Sequence, residues 1–193
     1  MLFFLHGRYF GPAGFNSYAR NRYCGVYEHW HSSCVQKAMA LFTILDSILA
    51  GIIGTFAMTL FIRLIGKITG NPFSVPRLLG SLLTSRISPS GKISQRLPVF
   101  LLGTVVHYAI GILFTLLYAW LVSTGLLPEG YINGLLYGCN LGIVAVVVWY
   151  MALRLHPLPP VMPVRFFLVV IFAGHLVFAA GVVTTFHFLF TIF

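Results

Sequence analysis

A chain of 193 residues with 59% hydrophobic and 8% charged residues cannot cover a water-facing surface, because soluble domains carry about 25% charged side chains. The net charge of +9 would suit nucleic acid, but the basic residues stand between long apolar runs, a placement that fits a membrane surface and argues against a nucleic-acid partner. The only acids are Glu28, Asp46 and Glu129, and the cysteines Cys24, Cys34 and Cys139 make no disulfide framework.

Residues 1–38 carry Arg8, Arg20, Arg22 and Lys37 and show neither helical nor strand periodicity. They hold no cleavable signal peptide, since the start lacks a basic region and its apolar run ends at His6. Met39-Ala40-Leu41-Phe42 reads as a natural beginning. The expectation is that 1–38 form a disordered extension that is not translated in the cell, the true start being Met39. Cys24, His29, His31 and Cys34 suit zinc by type, but C-x4-H-x-H-x2-C is not a standard zinc spacing, and no metal site is assigned.

A membrane-crossing helix needs about 20 mostly apolar residues, and four segments qualify: 41–63, 98–122, 131–153 and 166–190. Backbone polar groups in hydrocarbon must pair within their own segment, so each segment is helical. The predicted fold is an all-α integral membrane four-helix bundle over residues 39–193. Loop 64–97 holds Lys67, Arg77, Arg86, Lys92 and Arg96, with Arg63 at the preceding helix end, and loop 154–165 holds Arg154 and Arg165. Loop 123–130 has Glu129 and no Lys or Arg. Basic loops stay in the cytoplasm, which places 64–97 and 154–165 inside and both termini outside.

Within the basic loop, Leu78, Leu79, Leu82 and Leu83 fall on one helical face of residues 76–88, and Pro76 suits a first helical turn. A short amphipathic helix at the interface is expected, with Arg77, Arg86, Lys92 and Arg96 available to anionic lipid. The plainer reading is a loop that only sets topology.

Two levels of small and polar residues run through the spans. Gly134, Gly138 and Gly142 form one close-approach stripe; Gly103, His107 and Gly111 form another; Ala50 and Gly54 make a third. Packing of the bundle is the first reading of these faces, self-association the second. By helix rise, His107 lies about 16 Å beyond Arg96, His175 about 15 Å beyond Arg165, and Asn140 about 14 Å into the third span. These three residues are expected to form a polar cluster near the membrane midplane, directed inward. The cluster either fixes helix register through hydrogen bonds or uses His107 and His175 to hold a haem iron, bind a quinone or relay protons. The matched depths of the two histidines also suggest two parallel two-helix repeats.

Gly51-x2-Gly54-Thr55-x2-Met58-Thr59 in the first span, His107-Tyr108-x2-Gly111 in the second, Gly134-x3-Gly138 in the third and Gly174-His175 in the fourth resemble a broad group of small, uncharacterised bacterial inner-membrane proteins with four spans. The resemblance covers 39–193. It implies a bacterial cytoplasmic membrane and carries over no activity.

For function, the residues support a non-enzymatic assembly or accessory membrane component that meets the bilayer and a homo-oligomeric or membrane-protein partner. No serine–histidine–carboxylate set, Walker-type loop or H-E-x-x-H is present. The alternative is a small redox or transport protein built on His107 and His175.

Overall fold

The computed structural model describes residues 31–71 and 73–192, with side chains described from 44 to 189. Residues 1–30, including Cys24 and His29 of the zinc reading, lie outside the described residues. Every regular element described is an α-helix: α1 (His31–Ile68), α2 (Val75–Leu83), α3 (Leu97–Ser123), α4 (Tyr131–Leu155) and α5 (Val164–Ile192). α1 begins ahead of Met39, so residues 31–38 are helical where the sequence shows no periodicity.

Four of these helices are long and apolar enough to cross a membrane: Ile44–Ile68, Leu97–Ser123, Tyr131–Leu155 and Val164–Leu189. The protein is therefore an all-α, multi-pass membrane protein. At about 1.5 Å per residue, each 25- to 27-residue span exceeds the roughly 30 Å of hydrocarbon. The first span continues past the expected end at 63 to Ile68. A long basic side chain such as Arg63 can reach an interface while its backbone stays helical, so the charge does not end the helix.

The bundle core is built around α5, where Phe167 and Ile171 are wholly buried together with Ile62 of α1. Close approach needs missing side chains. A Cβ on Gly54 would lie 2.9 Å from the Phe178 carbonyl oxygen, which brings α1 against α5. A Cβ on Gly138 would overlap Cβ of Ala179, which brings α4 against α5, with Gly134 on Val183 and Gly142 on Phe172 above and below it. Gly51 meets Ile112, and Gly111 meets Thr55, which brings α1 against α3. Outside this core the surface is apolar, with Val105, Leu113, Val147 and Val169 all more than half exposed, as lipid-facing positions should be.

α2 is more than an interfacial helix. It docks against α3 through paired glycines: a Cβ on Gly80 would overlap the Val99 carbonyl, and one on Gly103 would overlap the Pro76 carbonyl. Gly103 therefore seats α2 and does not join two spans. The buried face is Val75, Pro76, Leu78, Gly80 and Ser81, while Leu83 is exposed. This differs from the expected leucine face, because Ser81 accepts a hydrogen bond from the Ser94 backbone N–H at 3.1 Å and so tolerates complete burial. α2 ends in a Schellman motif, with Ser85 at φ 51° and Arg86 N–H donating to the Ser81 carbonyl at 2.9 Å. The chain then turns back through an antiparallel bridge between Ile87 and Ile93. Gly91 sits at the turn with φ 74°, and its carbonyl accepts the Val161 N–H at 3.0 Å. That bond ties loop 84–96 to the loop before α5, and Phe73 adds ring contacts to Phe166 and Phe167 at 5.8 and 5.5 Å.

Candidate functional site: a polar seam inside the bundle

Four intramembrane threonines satisfy their hydroxyls one turn back along their own helices. Thr55 donates to the Gly51 carbonyl at 2.7 Å, Thr59 to Thr55 at 2.8 Å, Thr115 to Gly111 at 3.1 Å and Thr185 to Gly181 at 2.8 Å. Threonine can make this bond without leaving helical geometry, which removes the cost of an unpaired hydroxyl in hydrocarbon.

His107 and His175 both point into the bundle, with exposures of 8% and 7%. Nε2 of His107 stands 3.3 Å from Oγ1 of Thr59 on α1. The Thr59 hydrogen is already committed to Thr55, so the imidazole N–H is the donor and the hydroxyl oxygen accepts. His175 places Nδ1 2.8 Å from the Ile171 carbonyl, an acceptor only, so this ring donates from Nδ1. Each neutral ring keeps one nitrogen lone pair, on Nδ1 of His107 and Nε2 of His175. Their partners are a threonine and a backbone carbonyl; Thr104, three residues before His107 on α3, bonds the Phe100 carbonyl.

Asn140 does not join this cluster. It is exposed on the outer surface of α4, and its Nδ2 donates to the Leu136 carbonyl at 2.9 Å. The cause is angular. Gly134, Gly138 and Gly142 turn toward α5, and a residue two positions past Gly138 lies about 200° around the helix. Depth alone placed Asn140 with the histidines; its azimuth carries it to the opposite side.

A second interhelical bond was not read from the sequence. Tyr137 Oη donates to the Phe114 carbonyl at 2.7 Å and joins α4 to α3, with the Tyr118 ring 5.3 Å away. Tyr118 in turn meets Phe186 of α5 at 6.1 Å. The available signal was a tyrosine one residue before a close-approach glycine, inside an apolar run. Thr55 and Thr59, which line the α1 side of the seam, do fall within the Gly-Thr-x2-Met-Thr pattern of the first span.

The candidate lipid-surface residues lie at one end of the molecule with the other basic side chains. Arg77 is held by Gln95 at 2.9 Å and covers the Phe100 ring at 5.0 Å; Arg86, Lys92 and Arg96 are exposed. Asp46 and Glu129 lie toward the other end, so among the described residues no carboxylate stands beside the basic end. Among the described residues no group of three or more His, Cys, Asp and Glu side chains is placed to hold a metal ion. Comparison of the chain with protein-family models, with curated proteins and with solved structures finds no match in any of the three.

Proposed function

We propose that this protein is a non-enzymatic assembly or accessory component of a bacterial cytoplasmic membrane, and that it associates laterally through the outer face of α4. The observation that carries this reading is the orientation of the polar groups. The buried histidines and threonines bond to groups inside the bundle, whereas Asn140, near the midplane, turns outward. Its side-chain carbonyl accepts nothing among the described residues, and lipid offers it no donor. Asparagine bridges transmembrane helices for this reason. A primary amide is self-complementary, so the simplest partner is a second copy, with Leu136 and Val144 flanking the contact. The basic end faces the cytoplasm by the positive-inside rule.

Energy transfer between labelled copies in lipid vesicles tests this. Transfer is expected to rise with the protein-to-lipid ratio, and Asn140→Leu should weaken association about 3- to 18-fold, the range of single interhelical polar contacts in membranes. Absent transfer in the natural chain, or equal transfer in the variant, refutes the reading.

A second reading rests on the uncommitted lone pairs of His107 and His175. A ligating histidine commonly donates its other N–H to a backbone carbonyl, as His175 does to Ile171. A haem or quinone protein would use those nitrogens, and a Soret band in the purified protein would select the haem form.

A further inference from the structure

Of the four spans, α4 is the least enclosed: 17% of its apolar stretch is buried inside the chain, against 50% for α5. The face it turns away from α5 has a repeat of its own. Asn133, Asn140 and Val147 stand seven residues apart, and Leu136, Ile143 and Tyr150 stand seven apart between them. Alternating steps of three and four residues keep one stripe in contact when two helices wind left-handedly around each other. Leu136, Ile143 and Val147 are each more than half exposed, Asn140 is exposed and Asn133 is half-buried. The small residues Gly134, Gly138 and Gly142 repeat at four and are taken up by α5. The outer stripe is bulky and aliphatic between its two asparagines, which suits side chains interlocking at a seam and not the close right-handed crossing that glycines permit.

We infer that a second copy joins through this stripe as a parallel, left-handed seam in which Asn140 meets Asn140 and Asn133 meets Asn133. The inference rests on the lateral association proposed for α4 and supplies its geometry. Copies inserted with one topology have α4 running in the same direction, so a symmetric pair has its axis along the membrane normal and each seam residue meets itself. The two amide rungs lie about 10 Å apart by helix rise. They fix the register, because a slip sets an amide against Leu136 or Ile143, where it finds no hydrogen-bonding group. Asn133 stands near the outer end of α4, where water competes, so Asn140 carries the larger share. The next position in the repeat is Arg154, which covers the Tyr150 ring at 5.6 Å. Two like charges would meet there, so the seam ends at Tyr150.

Oxidative cross-linking of single cysteines in membranes tests this, in the full chain with Cys24→Ser, Cys34→Ser and Cys139→Ala as background. Ile143→Cys, Val144→Cys, Val147→Cys and Val148→Cys are compared. All four positions are between 54% and 58% exposed in the single chain, so access of the oxidant does not separate them. On the seam, two copies of a residue come within the roughly 7 Å between Cα atoms that a disulfide allows, whereas the next residue is turned about 100° away. Ile143→Cys and Val147→Cys should therefore form linked dimers at least about tenfold faster than Val144→Cys and Val148→Cys. Adding Asn140→Leu should slow the two fast variants, and an unchanged rate overturns the amide pairing. Faster linking at Val144→Cys and Val148→Cys, which share a four-residue repeat with Leu136 and Asn140, overturns the seam and leaves association through α4 standing. Equal rates at all four positions overturn it as well. So does a lack of linking at every position, and energy transfer between labelled copies then separates the causes. Transfer retained means the copies meet on another face; transfer absent means the chain does not associate, and the proposed function falls with the seam.

Discussion

Replacing Gly103 by alanine adds one methyl group where two backbones touch. Its Cβ would overlap the Pro76 carbonyl oxygen and sit 2.7 Å from the Gly80 nitrogen. Carbon and carbonyl oxygen come to rest at about 3.3 Å, so α2 must withdraw from α3. A flexible side chain cannot absorb the shift, because the obstructing atoms are backbone. Overpacking of this kind costs about 1–3 kcal/mol, which moves the docking equilibrium of α2 by a factor of about 5 to 150. The bundle beyond α2 should persist, since its glycine contacts involve other residues. A cysteine at Ser81, wholly buried in the natural chain, reports the outcome. Ser81→Cys alkylation should be slow alone and at least tenfold faster with Gly103→Ala, and unaffected by Val105→Ala, a truncation on the same helix at a position 67% exposed. If Ser81→Cys stays protected and the melting temperature is unchanged when Gly103→Ala is added, the glycine-seated docking of α2 is wrong.

Three further predictions follow from other contacts. Cysteines at Ser90 and Gly130, both exposed and at opposite ends of the spans, should be labelled only from opposite sides of a sealed vesicle, with Ser90 reached from the cytoplasmic side; same-side labelling defeats the four-span topology. A double-mutant cycle of Thr59→Val and His107→Phe should show a coupling of about 0.6 kcal/mol and not more than about 1.7, the measured span for interhelical bonds in membranes, while the pair Thr104→Val and His107→Phe should show none. Tyr137→Phe removes the donor of the 2.7 Å bond to the Phe114 carbonyl and should lower stability in detergent by about 0.5–1.5 kcal/mol, whereas an unchanged melting curve would mean the bond contributes nothing.

The four spans were legible because Leu, Ile, Val and Phe fill them and every Lys and Arg after Lys37 stands at or beyond their ends. Three spans agree with the expected bounds within two or three residues, and α1 overruns at Arg63 because charge marks an interface less sharply than it marks a loop. The faces of Gly54, Gly111, Gly134, Gly138 and Gly142 were legible from spacing alone, since four residues return a helix to the same side. Their partners were not. Gly103 seats a nine-residue helix, and nothing local to Gly103 encodes which surface comes to meet it. His107 and His175 were found by depth, and the structure turns both inward. Asn140 was misplaced by the same measure, because depth is a coordinate along the axis and burial depends on the angle around it.

The bond from Val161 to the Gly91 carbonyl gives the molecule unequal ends. At the basic end, long connections from different parts of the chain are fastened together, whereas at the other end the described spans are joined by residues 124–130. There Gly125 and Gly130 take positive φ, and a Cβ on either would meet nothing within 4 Å. Cleavage in that short connection would release two hairpins that still share the fastening, the Gly54–Phe178 contact and the Tyr137–Phe114 bond. Halves expressed separately from a gene split at this point should find each other in the bilayer.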